Sequence, residues 1–142
     1  MHKKLGYNFR MTNLQAAVAL AQTERLEEFL EKREKIETWY NERLRTADLN
    51  GILVMPKRDV LWMYDILAHD RENLIKYLDK NGIETRVFFK PMSRQPMYFD
   101  KDYANLRAHQ LSERGLYLPT YTKLEEKDVD SITKKIKEFY KI

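Results

Sequence analysis

Thr12-Asn13-Leu14-Gln15-Ala16-Ala17-Val18-Ala19-Leu20-Ala21 opens a run that reaches Arg45 without a glycine or a proline. Thr12 and Gln15 have the spacing of a reciprocal capping box, in which each side chain serves the other's backbone N–H. The run predicts one long helix over 13–45. At 1.5 Å per residue it would be roughly 50 Å long, whereas a compact domain of this chain length is about 30 to 35 Å across. Such a helix projects beyond its own domain.

The two halves of the helix differ in pattern. Leu26, Phe29, Leu30, Ile36, Tyr40 and Leu44 recur largely at three- and four-residue steps between charged residues, which makes an amphipathic face. Ala16 to Ala21 is apolar on every side. A helix apolar all round has to be covered all round, and nothing else in the chain is sufficient to enclose that end. The expectation is a covering surface from outside this chain, with self-association of the lone subunit as a homo-oligomer.

Working outward, the 142 residues amount to a single domain, divided as 1–12 ahead of the helix, 13–45 for the helix and 46–142 for a small domain. Hydrophobic residues make up 43% and aromatic residues 12%, enough for a core; 34% charged residues and a mean hydropathy of -0.69 imply a solvated surface. No stretch approaches a membrane span, and Met1 to Gly6 lacks the apolar run of a signal peptide, so a soluble, cytoplasmic chain without a membrane partner is expected. The 26 basic residues are interleaved with 22 acidic ones, which reads as solubility and not as a nucleic-acid surface. The absence of cysteine excludes disulfides and thiol chemistry, and His2, His69 and His109 lack ligand spacing, so no metal is expected.

Beyond the helix, Val60 to Leu67 reads as a strand whose Trp62 and Tyr64 belong to core or interface. Asp70 is placed to cap a helix over 71–81, which Gly82 stops. Ile83 to Phe88 reads as a second strand, and Phe89 to Phe99, with two prolines, as a functional loop. A helix over 102–114 stopped by Gly115, a third strand Leu116 to Leu118, and a last amphipathic helix over 126–140 complete the order. The fold class is an α/β sandwich, a small sheet of about three strands covered by helices, with one long N-terminal helix.

No phosphate-cradling glycine loop exists, and no catalytic constellation is complete within the chain. One segment stands apart: Gly6-Tyr7-Asn8-Phe9-Arg10-Met11 lies directly before the helix N-terminus, where the dipole and free N–H groups favour an anion and Asn8 and Arg10 can donate to it. The purely structural alternative has Arg10 paired with an acidic neighbour and Asn8 capping a turn.

The run Gly6 to Ala17 closely resembles the segment after the cofactor lysine in the DegT/DnrJ/StrS family of pyridoxal-phosphate sugar aminotransferases. Similar wording follows in order: Arg33 and Tyr40 in the helix, Trp62-Met63-Tyr64, Gly82-Ile83-Glu84-Thr85-Arg86, Phe88-Phe89-Lys90-Pro91 to Gln95-Pro96-Met97-Tyr98, and Leu116-Tyr117-Leu118-Pro119. Within the family the Trp-Met-Tyr and Gln-Pro-Met-Tyr wording is most like perosamine synthases, which aminate a GDP-linked 4-keto-6-deoxy sugar with glutamate as donor.

The resemblance implies the C-terminal part of a fold-type-I aminotransferase, its partner being a large domain or second subunit. It implies cofactor-phosphate contacts at Asn8 and Arg10, and substrate contacts at Phe89, Ser93 and Gln95, although many relatives carry His at the position of Ser93. The cofactor lysine and the carboxylate that holds the pyridine nitrogen precede this segment in the family. No catalytic residue is therefore expected in this chain, no tight pyridoxal phosphate binding, and no amino transfer by it alone. A non-catalytic interaction module retaining the fold is the rival reading.

Overall fold

The computed structural model describes residues 4–7, 9–45, 51–99 and 106–141. The capping box forms as expected. The Thr12 N–H donates to Gln15 Oε1 at 2.9 Å and the Gln15 N–H to Thr12 Oγ1 at 3.3 Å. Helix α1 (Asn13–Thr23) starts there. The expected single helix is broken, and α2 (Leu26–Leu44) begins after a turn. At the break the Thr23 hydroxyl donates to the Ala19 carbonyl at 2.8 Å, and the Arg25 N–H reaches only back to Gln22 O, at 3.2 Å. A hydroxyl competing for the backbone and a tightened three-residue bond together explain a discontinuity that needs no proline.

Strand β1 (Ile52–Val54), strand β2 (Tyr64–Ala68), helix α3 (Arg71–Lys80), strand β3 (Arg86–Val87), helix α4 (Leu106–Arg114), strand β4 (Gly115–Leu118) and helix α5 (Glu126–Tyr140) follow. The sheet is antiparallel throughout, in the order β1-β2-β4-β3, with four strands where three were expected. The 102–105 part of the expected third helix lies outside the described residues. Asp70 does not cap α3 through its side chain; its carboxylate accepts from the Asn73 amide at 3.0 Å. Gly82, at φ +75°, is the expected left-handed stop.

The core lies on one sheet face. Ile36, Tyr40 and Leu44 of α2, Leu74 and Leu78 of α3, and Val129, Ile132 and Ile136 of α5 pack with Tyr64, Ile66, Leu116 and Leu118. Tyr40 stacks on Tyr64 with ring centroids 4.5 Å apart. Its hydroxyl donates to Pro119 O at 3.0 Å, and the Tyr64 hydroxyl donates to Asn41 Oδ1 at 3.0 Å. Burial of two phenols is thus accompanied by full use of their polar ends.

None of this core reaches α1. Not one of its residues is buried; Leu14 is 82% exposed and Val18 64%, and Phe9 ahead of the helix is 92% exposed. The other elements gather around α2, α3, α5 and the sheet, leaving the apolar end of the chain uncovered. Among the described residues no helix is long and apolar enough to cross a membrane.

Candidate functional site

The site is built on the sheet face turned away from the helical core. Register places Asp65 of β2 beside Tyr117 of β4, and Tyr117 beside Arg86 of β3, so these three side chains share that face. Asp65 is 6% exposed and paired with Arg58. Burial pushes its carboxyl above the usual range even though Arg58 pulls it down. Burial likewise raises the Tyr117 hydroxyl.

Beyond β3, Phe88 packs against Gly115 of β4, its N–H donating to the Gly115 carbonyl at 3.2 Å. A Cβ there would sit 2.0 Å from the Phe88 ring, so only glycine admits the ring at this point of β4. The helix ends at Arg114, directly before Gly115, as expected, and the same glycine opens β4. Phe88 then stacks on Tyr117 at 4.5 Å and 23°. The next residue, Phe89, lies 6.4 Å from Trp62 with 17° between the ring planes and 6.2 Å from Tyr117. The Arg86 guanidinium stands 5.1 Å from the Phe89 centroid.

Trp62 was read as a strand residue of core or interface. It precedes β2 and its side of the molecule is open, the residue being 61% exposed. Its backbone, by contrast, is firmly held. Arg33 Nη1 donates to Trp62 O at 2.8 Å and to Leu61 O at 3.2 Å, and the Thr120 hydroxyl donates to Trp62 O at 3.1 Å. An arginine of α2 thereby fixes the backbone that carries an exposed indole, beside the loop that carries Phe89.

The loop 89–99 contains two short 3₁₀ turns, Met92–Arg94 and Pro96–Tyr98. It is fastened to α4 at two points: Ser93 Oγ and His109 Nε2 are 2.9 Å apart, and Arg94 pairs with Glu113 at 2.9 Å. Of the residues expected at a substrate site, Phe89, Ser93 and Gln95 therefore share one anchored loop, with Ser93 and Gln95 half-buried and Phe89 exposed. Asn8 lies outside the described residues. Arg10 is exposed and has no carboxylate partner among the described residues, so its expected alternative pairing is not made there.

An open cleft of about 810 Å³ adjoins this face, bordered by Met63, Arg86, Tyr117, Thr120, Tyr121 and Asp128. In the sequence Arg86 stands out only for its family resemblance, and Trp62 for that and for its place in an aromatic strand. Their meeting at Phe89 depends on strand register and on Gly115, which no local pattern announces.

Comparison with known proteins gives a consistent result. The sequence model of the DegT/DnrJ/EryC1/StrS aminotransferase family matches residues 1–137. GDP-perosamine synthase of Caulobacter vibrioides is 40% identical over 139 residues, 90% of this chain and 37% of that protein. GDP-perosamine synthase of Escherichia coli O157:H7 is 36% identical over 147 residues, 98% of this chain and 39% of that protein. Among solved structures, a DegT DnrJ EryC1 StrS aminotransferase from Brucella abortus superposes with a TM-score of 0.83 at 30% identity, over 96% of this chain and 38% of that one. DesV of S. venezuelae superposes with a TM-score of 0.87 at 25% identity, over 100% of this chain and 40% of that one. The chain spans about two fifths of the length of the relatives it matches.

Proposed function

The chain belongs to the DegT/DnrJ/EryC1/StrS aminotransferase family, and on that premise we propose that it forms the small domain and linking helix of a pyridoxal-phosphate-dependent nucleotide-sugar aminotransferase. The reaction proposed for the whole enzyme is transfer of the amino group of glutamate to a GDP-linked 4-keto-6-deoxy sugar, as the likeness to GDP-perosamine synthases suggests. The observation that carries the reading is the bare apolar helix α1, exposed at every residue on a chain that aligns almost whole with two fifths of its relatives. Such a surface is the expected seat of a large domain or second subunit.

When bound, pyridoxal phosphate would supply the electron sink and the temporary store for the amino group. The residues of this chain suit its phosphate. Arg10 has no carboxylate partner among the described residues, and beside it the first turn of α1 has no intrahelical acceptor for the Asn13 and Leu14 N–H groups. Asn8 is proposed as a further donor there. Phe89 and Gln95 would bind substrate, and the Ser93 hydroxyl, oriented by His109, would offer a hydrogen bond to a sugar hydroxyl. The lysine and the carboxylate that act on the cofactor are assigned to the covering domain.

The test is reconstitution. The chain, alone and together with a large-domain partner, is given pyridoxal phosphate, glutamate and the keto sugar nucleotide. Visible absorbance of bound cofactor and release of 2-oxoglutarate are expected only with the partner. Turnover by the chain alone would overturn the division of labour, and neither signal in any pairing would favour the interaction module.

A further inference from the structure

We propose that Trp62 and Phe89 form a stacking platform for the base of the nucleotide, with Arg86 set against its diphosphate. The proposal deepens the nucleotide-sugar reading above and rests on it. It goes further by naming which end of the substrate each part of this face receives.

Three observations carry it. First, Trp62 and Phe89 are near-parallel, 17° apart in plane, and both remain more than half exposed, at 61% and 53%. Exposed π faces held in one orientation suit a planar heteroaromatic ring and are tolerant of which base it is.

Second, the platform is preorganised by polar contacts that would otherwise be spent on nothing. The Trp62 carbonyl accepts from both Arg33 and Thr120, so the indole sits on a fixed backbone despite its exposure. Phe89 is fixed from the other side, because Phe88 is pressed onto Gly115 and Tyr117. Rigidity before binding lowers the ordering cost of the complex.

Third, the charge beside the rings is complementary to phosphate. Arg86 lies 5.1 Å from the Phe89 centroid and is not paired with a carboxylate among the described residues. A guanidinium that keeps its N–H groups free while facing an aromatic ring can hold a phosphate oxygen pair beside a stacked base. The cleft of about 810 Å³ that Arg86 and Tyr117 border leaves room for the rest of a sugar nucleotide. A lipid or peptide partner would meet one or other of these features, whereas a nucleoside diphosphate uses both.

The test uses the full chain carrying Trp39→Phe, which leaves Trp62 as its only indole. If that variant melts early, fluorotryptophan labelling of the parent chain reports the two indoles separately. GDP is expected to quench Trp62 saturably and inorganic pyrophosphate to leave it unchanged. Phe89→Ala should weaken GDP binding by about 5- to 100-fold, and Arg86→Gln should weaken GDP far more than guanosine. Both positions are exposed, so the variants should melt with the parent.

Equal binding of pyrophosphate and GDP, GDP binding indifferent to Phe89→Ala, or no saturable quench at millimolar GDP would each overturn the platform. So would loss of large-domain assembly on Trp62→Phe, which would assign the indole to a protein interface. The aminotransferase reading is judged separately, by 2-oxoglutarate release. An assembly that turns over with unchanged KM for the sugar nucleotide in both Trp62→Phe and Phe89→Ala would remove the platform and leave that reading standing.

Discussion

Tyr40 of α2 and Tyr64 of β2 stack with 21° between their planes, and their hydroxyls leave in different directions, one to Pro119 O and the other to Asn41. The pair ties helix, sheet and the segment after β4 into one unit. Because that segment also supplies Thr120 to the Trp62 carbonyl, the same unit holds the backbone that carries the exposed indole.

Burial pushes both hydroxyls well above the ordinary tyrosine range. The folded state therefore keeps these protons while the unfolded chain loses them near the usual pKa of about 10. Stability should be fully present below that value and decline as pH rises beyond it. Urea midpoints measured from neutral to strongly alkaline pH should show this decline, and a Tyr40→Phe/Tyr64→Phe double variant should flatten it. Tyr40→Phe alone should cost about 1 kcal/mol at neutral pH for the lost hydrogen bond. An alkaline profile unchanged in the double variant would rule this account out.

Gly115→Ala should act through Phe88, one residue from the 89–99 loop. The added methyl would overlap the Phe88 ring. The ring must move, and overpacking of this kind costs roughly 1 to 3 kcal/mol. A lower melting temperature is expected together with weaker quenching of Trp62 by GDP, since Phe89 moves with Phe88. A variant with parental melting and binding would show that the ring has another place to go.

Arg43 joins α2 to α5 through Asp130 and, at 2.8 Å, Glu126, and its side chain is 18% exposed. The carboxylates are more than half exposed, so the pairing is screened by solvent. Arg43→Met should lower stability by at most about 1 kcal/mol in dilute buffer, with much of the difference gone in molar salt. A loss independent of salt, read from urea melts, would assign the effect to packing of the arginine stem instead.

Ala17→Glu/Ala21→Glu places two charges on a helix that contributes nothing to the core. The melting temperature should stay within a degree or two of the parent. Self-association of the parent, followed by sedimentation velocity at rising concentration, should disappear in the variant. A parent that stays monomeric at high concentration would refute the expectation that α1 seeks a cover in this chain.

Much of the fold was legible because its signals are local. The Thr12–Gln15 capping box, the stop at Gly82 and both ends of α5, Glu126 and Tyr140, are written in residue type and period. The losses come from competition over distance. Val60 to Met63 has strand-forming residues, but the Leu61 and Trp62 carbonyls are taken by Arg33, so the sheet ladder begins only at Tyr64. Strand β1 is three residues long beside Gly51, too short to show alternation. The helix break at Thr23 uses a hydroxyl where a proline would have been looked for.

The candidate site divides in the same way. The wording of the sequence places Phe89, Ser93 and Gln95 on one loop, and the structure holds that loop against α4. His109, sixteen residues away, holds Ser93, and Arg86 meets Phe89 through strand register; neither relation has a spacing that a sequence displays.

The two outer strands of the sheet are its shortest, three residues in β1 and two in β3. Rows of unpaired backbone groups that brief give an incoming extended segment almost nothing to zip onto. Fibril-like propagation is thus disfavoured at both margins, and the bare face of α1 is where association is expected instead, in a mode that saturates once its mate is found.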